Sequence, residues 1–316
     1  MVRYISQRLV ALIPVLIGIS LVTFFLIRLV PGDVVDLMLA NETNMDSARA
    51  QEIRRVFGLD KPIHLQYWDW ISGVARGDLG NSLRTGQPVR DEIFRKLPVT
   101  VELTIMSVGF ALIIAIPAGI IAAVRAGTRT EAAAQGVSLL GLSIPNFWLG
   151  TMLILISSRY FGWFPAANYS SFTDDPWRNI QILILPSVAL GAALAAITMR
   201  MTRSALLEVL RREYITTARA KGLTEQRVVM GHAIRNALIP VVTVVGIQMG
   251  RLLGGAIIIE QLFNLPGIGR LAIDAISQRD YPMIQGVVLM TTTAFVLVNL
   301  LVDVLYSYID PRIRYS

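Results

Sequence analysis

The sequence predicts an all-α polytopic membrane protein with six transmembrane helices. Three observations carry that prediction. The chain is 54% hydrophobic and only 16% charged, where a soluble chain carries about 25% charged residues. The apolar residues gather in six blocks, about 9–29, 99–124, 137–158, 180–201, 239–260 and 285–308, and about 20 apolar residues suffice to cross the hydrocarbon layer as a helix. These blocks are continuous, whereas the strands of a membrane β-barrel alternate over about ten residues. A continuous spanning segment must satisfy its own backbone hydrogen bonds, which selects the helix. Residues 1–316 read as a single membrane domain.

The first block follows Arg3 and Arg8, as in a secretory signal peptide. Its apolar run of about 20 residues exceeds the usual 7–15, and no small-x-small cleavage site follows. It reads as a retained helix. A long loop, about 31–98, comes next, with turn signals at Pro31-Gly32-Asp33 and Arg76-Gly77-Asp78-Leu79-Gly80. Helical character appears at 46–57 and 64–74, the second with Tyr67, Trp68 and Trp70, a composition that suits the headgroup level. These segments read as amphipathic surface helices, or as a docking surface for a soluble partner. Pro145 and Pro186 interrupt the third and fourth spans, and packing is expected to accommodate both.

Between the fourth and fifth spans lies a polar, basic loop, about 202–238, too charged to enter a bilayer. The fifth span carries Gly246, Gly250 and Gly254, a four-residue spacing that lets another helix approach closely, with a hinge as the alternative reading. Intramembrane ionisable residues mark function by default. Here they are Arg251, Glu260 and Asp303, the candidates for the translocation pathway. Arg251 reads either as half of a buried pair or as a pathway-lining group, and Asp303 also as a tie between helices. After Glu260, residues Gly267, Gly269 and Ala272 match a dinucleotide fingerprint in form only, because no strand precedes them. A short re-entrant or outer-surface turn and helix is expected there.

Placing the N-terminus in the cytoplasm leaves fourteen basic residues in cytoplasmic segments and four in the short outer loops. That asymmetry satisfies the positive-inside rule and puts both termini in the cytoplasm. The net charge of +7 is therefore a topology signature, and no nucleic-acid partner is expected. The chain has no cysteine and only His64 and His232, which the topology separates, so no metal site is expected. It carries no phosphate loop, no H-E-x-x-H and no G-x-S-x-G. If transport is driven, either an ion gradient drives it, as in an ion-coupled carrier acting alone, or another subunit supplies the energy.

Many of these residues fall into one ordered set. The set runs through Pro31-Gly32-Asp33, Gly58-Leu59-Asp60, Gly77-Asp78-Leu79-Gly80, Tyr214 with Thr217-Ala218-Arg219-Ala220-Lys221-Gly222-Leu223, and His232 to Thr243. It continues through Glu260, Phe263, Pro266-Gly267, Gly269-Arg270, Arg279-Asp280-Tyr281-Pro282, Gln285-Gly286, Asn299 to Asp303 and Asp310 to Tyr315. In this order the chain resembles the permease family of dipeptide and oligopeptide ABC importers, and looks most like its dipeptide and glutathione permeases. The resemblance implies a type I ABC importer permease fold in a bacterial inner membrane. It implies no catalysis by this chain, with ATP and magnesium held on two partner ATPase subunits. It also implies a second homologous permease and a periplasmic substrate-binding protein. Residues Glu213, Tyr214, Thr217, Ala218, Arg219, Ala220, Lys221, Gly222 and Leu223 would couple the chain to an ATPase, with Gly222 allowing the turn between two short helices. Thr216 stands where the family's coupling loop often has glutamate, and Arg235 where many relatives have proline. The family's substrates include dipeptides, longer peptides, glutathione, nickel complexes, opines and sugars.

Overall fold

The computed structural model of the chain describes the backbone of residues 2–28, 60–163, 168–253 and 256–309. The expected features at 31–33, 46–57 and 310–315, together with Gly254 and the side chain of Asp303, lie outside the described residues. Regular structure among the described residues is helical, apart from a lone bridge between Asn81 and Pro88. The helices are α1 (Val2–Arg28), α2 (Ile63–Ala75), α3 (Val89–Val124), α4 (Arg129–Ser143), α5 (Asn146–Phe161), α6 (Pro176–Leu210) and α7 (Glu213–Ala220). A turn at Glu225–Arg227 and a π-helical stretch at Val228–Ala233 lead into α8 (Ile234–Leu253). Then come α9 (Ile257–Leu262), α10 (Ile268–Ser277) and α11 (Tyr281–Ile309).

Four helices are long and apolar enough to cross a membrane: Val89–Val124, Pro176–Leu210, Glu225–Leu253 and Tyr281–Val302. Helices α4 and α5 form a fifth span if that bent pair is one crossing, and Val10–Phe25 is a shorter apolar helix. Two expectations are corrected. The third span is not one helix across 137–158 but two, bent by 99°. Pro145 disfavours helical backbone at Ile144, which takes φ −83° and ψ 121° and ends α4. Pro186, by contrast, stays inside α6. The fifth span does not run on to residue 260, because α8 ends at Leu253 and a separate helix starts at Ile257.

The chain divides into two compact units. In the unit built from Leu97–Arg270 with the chain ends, α6 is the hub. Its apolar window is 67% buried, against 28% or less for the other long spans. Asp175 caps its start by accepting from Arg178 N at 3.0 Å, and Pro176 occupies the first turn, where no backbone donor is needed. Leu183, Leu190 and Leu194 of α6 pack on Val99, Leu103, Val108 and Ala111 of α3. The two helices touch closely at two glycines. A Cβ on Gly191 would lie 2.7 Å from Ser107 O, and one on Gly119 would lie 2.8 Å from Met199 O. Ahead of α6, Glu102 accepts from Tyr169 Oη and Asn179 Nδ2, both at 2.6 Å. Burial, and then the Glu102 hydrogen bond, push the Tyr169 phenol well above its ordinary pKa.

The second unit contains Gln7–Lys96 and Leu271–Thr293. Phe24 of α1 packs edge-on against Tyr67 of α2, with ring centroids 5.2 Å apart. Gly77 and Gly80 turn the chain with φ of +82° and +79°. Ser82, in the turn that follows, donates its hydroxyl to the buried Asp280 carboxylate. Asp280 also accepts from Leu83 N at 3.2 Å and Met283 N at 3.3 Å, so one side chain caps α11 and holds a turn 197 or 198 residues away. Gly286 of α11 leaves room for Val89 at the start of α3.

Candidate functional site

The loop after α6 is built around α7, an eight-residue helix with one apolar face. Ile215 and Ala218, three residues apart, are buried in a cluster with Leu206, Ala123, Val228, Val229, Ala233 and Ala237. Leu223 packs against the same cluster. The remaining predicted coupling residues, Glu213, Tyr214, Thr217, Arg219, Ala220, Lys221 and Gly222, are exposed. Helix α7 and the turn after it thus present an exposed ridge of seven such residues, five on the helix and two in the turn, and seat themselves through the others. Ala218 belongs to the seat.

Gly222 ends α7 with φ +78°. Its N–H donates to Arg219 O at 2.9 Å, and Leu223 N reaches Ala218 O at 3.4 Å, the bonding pattern of a left-handed helix C-terminus. A Cβ at Gly222 would meet nothing within 4 Å, so that position opens away from the chain. Across this turn Arg219 donates from Nε to Glu225 Oε2 at 3.0 Å and from Nη2 to Oε1 at 2.6 Å. Its Nη1 also reaches the carbonyl of Leu210, the last residue of α6, at 3.5 Å. Asn236 of α8 donates to Tyr214 Oη at 2.9 Å. Tyr214 and Asn236 border an open groove of about 540 Å³ that also touches Glu208 and Arg212. Glu225 and Asn236 are contributors that sequence reasoning missed. A separation of six residues matches no helix face, and only the Gly222 turn brings Arg219 and Glu225 together.

Glu131 of α4 accepts from Arg203 Nε of α6 at 2.7 Å and from Gly127 N at 2.5 Å. This pair ties the α3–α4 corner to α6, just ahead of α7.

Two of the three pathway candidates, Arg251 and Glu260, have different settings, and the side chain of Asp303 lies outside the described residues. Arg251 is exposed on α8 and donates to Gln248 Oε1 at 3.2 Å. Glu260 is fully buried. It accepts from Thr100 Oγ1 at 2.8 Å and Arg270 N at 3.0 Å, and Gly267 packs directly over its carboxylate. Thr100 Oγ1 in turn accepts from Ile268 N at 2.9 Å. Glu260 and Thr100 together therefore hold the start of α10, where a carboxylate suits the exposed N–H groups. Glu260 lies within α9, and the turn and helix that follow it are residues 263–267 and α10, with Leu265 and Ile268 buried. Gly246 and Gly250 back onto α11 at Val302 and Phe295, and a Cβ on Gly250 would lie 2.9 Å from Phe295 Cδ2.

Residues 115–315 match the family described as "Binding-protein-dependent transport system inner membrane component". Residues 1–104 match the N-terminal domain that accompanies it. The chain is 44% identical, over the whole of both chains, to the dipeptide transport system permease protein DppB of Alkalihalophilus pseudofirmus. It is 43% identical, again over the whole of both chains, to the glutathione transport system permease protein GsiC of Escherichia coli O6:H1. Among solved structures, the inward-facing MetNI methionine ABC transporter aligns with TM-score 0.56 and 21% identity. That alignment covers 69% of this chain and 96% of the other, and it shows a shared fold. With the apolar helices and the exposed ridge of α7, these matches establish that the chain belongs to the binding-protein-dependent transport system inner membrane component family.

Proposed function

We propose that this chain is the membrane-spanning permease subunit of an ATP-driven ABC importer for di- or oligopeptides, or for a related small solute such as glutathione. Full-length identity to permeases named for dipeptide and glutathione transport carries the reading. The chain supplies half of the translocation pathway and a second, homologous permease supplies the other half. Two ATPase subunits bind the ATP and magnesium, and a periplasmic binding protein delivers the solute. The ridge of α7 seats in one ATPase. Closure of the ATPases moves α7, and α7 moves the roots of α6 and α8 through Arg219, Tyr214 and the apolar seat. Access to the pathway then alternates between the two sides. Both chain termini lie in the cytoplasm, in keeping with the charge bias of the short loops. Arg251 contributes weakly to solute selection.

Affinity purification of the tagged chain in mild detergent tests this. Recovery of a homologous permease, ATPases and a solute-binding protein is the expected result. A chain that purified alone, and transported alone down an ion gradient after reconstitution, would overturn it.

A further inference from the structure

Helix α2 is held on one side and bare on the other. Tyr67 and Trp70 face α1, with ring centroids 5.2 and 5.8 Å from that of Phe24. The hydroxyls of Ser20 and Tyr67 share a hydrogen bond at 2.8 Å. Away from this attachment, Trp68 is 68% exposed and Leu65 45%. Large apolar groups gathered on a helix pinned in place mark a contact surface.

The place of attachment identifies the contact. Phe24 lies four residues before the end of α1 at Arg28, about 6 Å along the helix at 1.5 Å per residue. Helix α2 therefore sits where the apolar part of α1 gives way to charge. The strip of α1 beside the attachment is bare as well: Ile17, Leu21 and Phe25 are exposed and recur every four residues. Phe25 meets Phe24 edge-on at 5.4 Å, so the bare strip of α1 reaches the aromatic cluster that anchors α2. On a membrane-spanning helix such a strip faces acyl chains. At thirteen residues, α2 is about 20 Å long and cannot cross a hydrocarbon layer of roughly 30 Å. It also carries a polar edge, with Lys61 Nζ paired to Asp69 at 2.6 Å and Gln66 donating to Lys61 O at 2.8 Å. Tryptophan on a short helix with apolar and charged sides prefers the boundary between headgroups and acyl chains.

We infer that α2 is an interfacial lipid-binding helix. It lies at the headgroup–acyl boundary of the leaflet that receives the C-terminal end of α1, with Trp68 and Leu65 as its lipid anchors. The bare strip of α1 and the bare side of α2 form one continuous lipid contact.

The chain contains no cysteine, so W68C, L65C and D69C each accept a single fluorophore in the full chain. The labelled chains are placed in nanodiscs of phosphatidylethanolamine and phosphatidylglycerol. A nitroxide near the glycerol end of the acyl chain should quench the probe at 68 at least about twofold more than the probe at 69, with the probe at 65, which stands between them around the helix, intermediate. Aqueous iodide should show the opposite order. Equal iodide quenching at all three positions would overturn the inference. So would strongest quenching by a nitroxide at the methyl end, which means deep insertion, or protection from both quenchers, which means cover by protein. If W68C fails to fold, H64C, exposed one turn before Trp68 on the same face, takes its place against D69C.

Discussion

Arg219 grips Glu225 with two hydrogen bonds across the Gly222 turn while its third nitrogen touches the last carbonyl of α6. One guanidinium therefore joins the end of one long helix, the exposed α7 and the approach to α8. The pair is solvent-exposed, and such pairs contribute under about 1 kcal/mol to stability. The effect of breaking it belongs to coupling. R219E should lose most of the ATP turnover stimulated by loaded binding protein in the reconstituted transporter, with near-normal thermal stability. The charge swap R219E/E225R should recover much of it. A double variant as inactive as the single one would show that the bridge does not position α7.

At Gly222 the constraint is backbone conformation, because no neighbour crowds the position. Gly222→Ala should cost about 1 kcal/mol for an L residue at positive φ, and should still couple. Gly222→Asp places a charge on the surface offered to a partner. It should insert normally and abolish stimulated ATP turnover. Full stimulation in Gly222→Asp would sink the assignment of this turn to the ATPase contact.

Thr100 serves Glu260 and Ile268 with a single hydroxyl. Thr100→Val keeps the shape, takes this acceptor from Ile268 N and removes one hydrogen bond from Glu260, which keeps the one from Arg270 N, at a cost of about 1–3 kcal/mol. Thermal unfolding of the purified chain in detergent should show a clear drop in midpoint. An unchanged midpoint would mean that the start of α10 is held by other contacts.

Gly250 has no room for a side chain against Phe295. Gly250→Leu should destabilise by about 1–3 kcal/mol through overpacking. Gly109, also on a long helix, has open space and should accept alanine without a change in midpoint. Equal tolerance at the two positions would contradict the close approach of α8 and α11.

Arg251 is exposed and bonded only locally to Gln248 among the contacts described. Arg251→Ala should leave assembly intact and alter uptake of at least one candidate solute. Unchanged uptake of dipeptides, longer peptides and glutathione alike would remove Arg251 from the pathway.

The helical, membrane-spanning character of the chain was legible because a bilayer imposes length and continuity on apolar runs. The breaks within those runs were harder to read. Pro145 and Pro186 have similar apolar surroundings in sequence, yet Pro186 lies enclosed inside α6 and Pro145 begins a new helix. The difference arises from packing. The ridge of α7 was readable from its polarity, since Ile215 and Ala218 sit at a helical spacing and most residues around them are polar. Its fastening was not, because Arg219–Glu225, Tyr214–Asn236 and Ser82–Asp280 are joined by turns and tertiary contacts that no helix period announces. Glu260 stood out as an acid in an apolar setting, but its neighbours Thr100 and Gly267 come from other parts of the chain or fold back on it.

The π-helical stretch at Val228–Ala233 acts as a vernier between α7 and α8. A π turn holds one residue more than an α turn, and each residue of an α-helix advances the side-chain direction by about 100°. The extra residue sets the rotational phase with which α8 leaves the apolar seat. With that phase Val228, Val229 and Ala233 meet Ile215 below, while Gly246 and Gly250 meet Val302 and Phe295 above. Deleting one residue here would relax the stretch to an ordinary helix and swing one set of contacts out of alignment with the other. Inserting the residue again anywhere within the same turn would restore it.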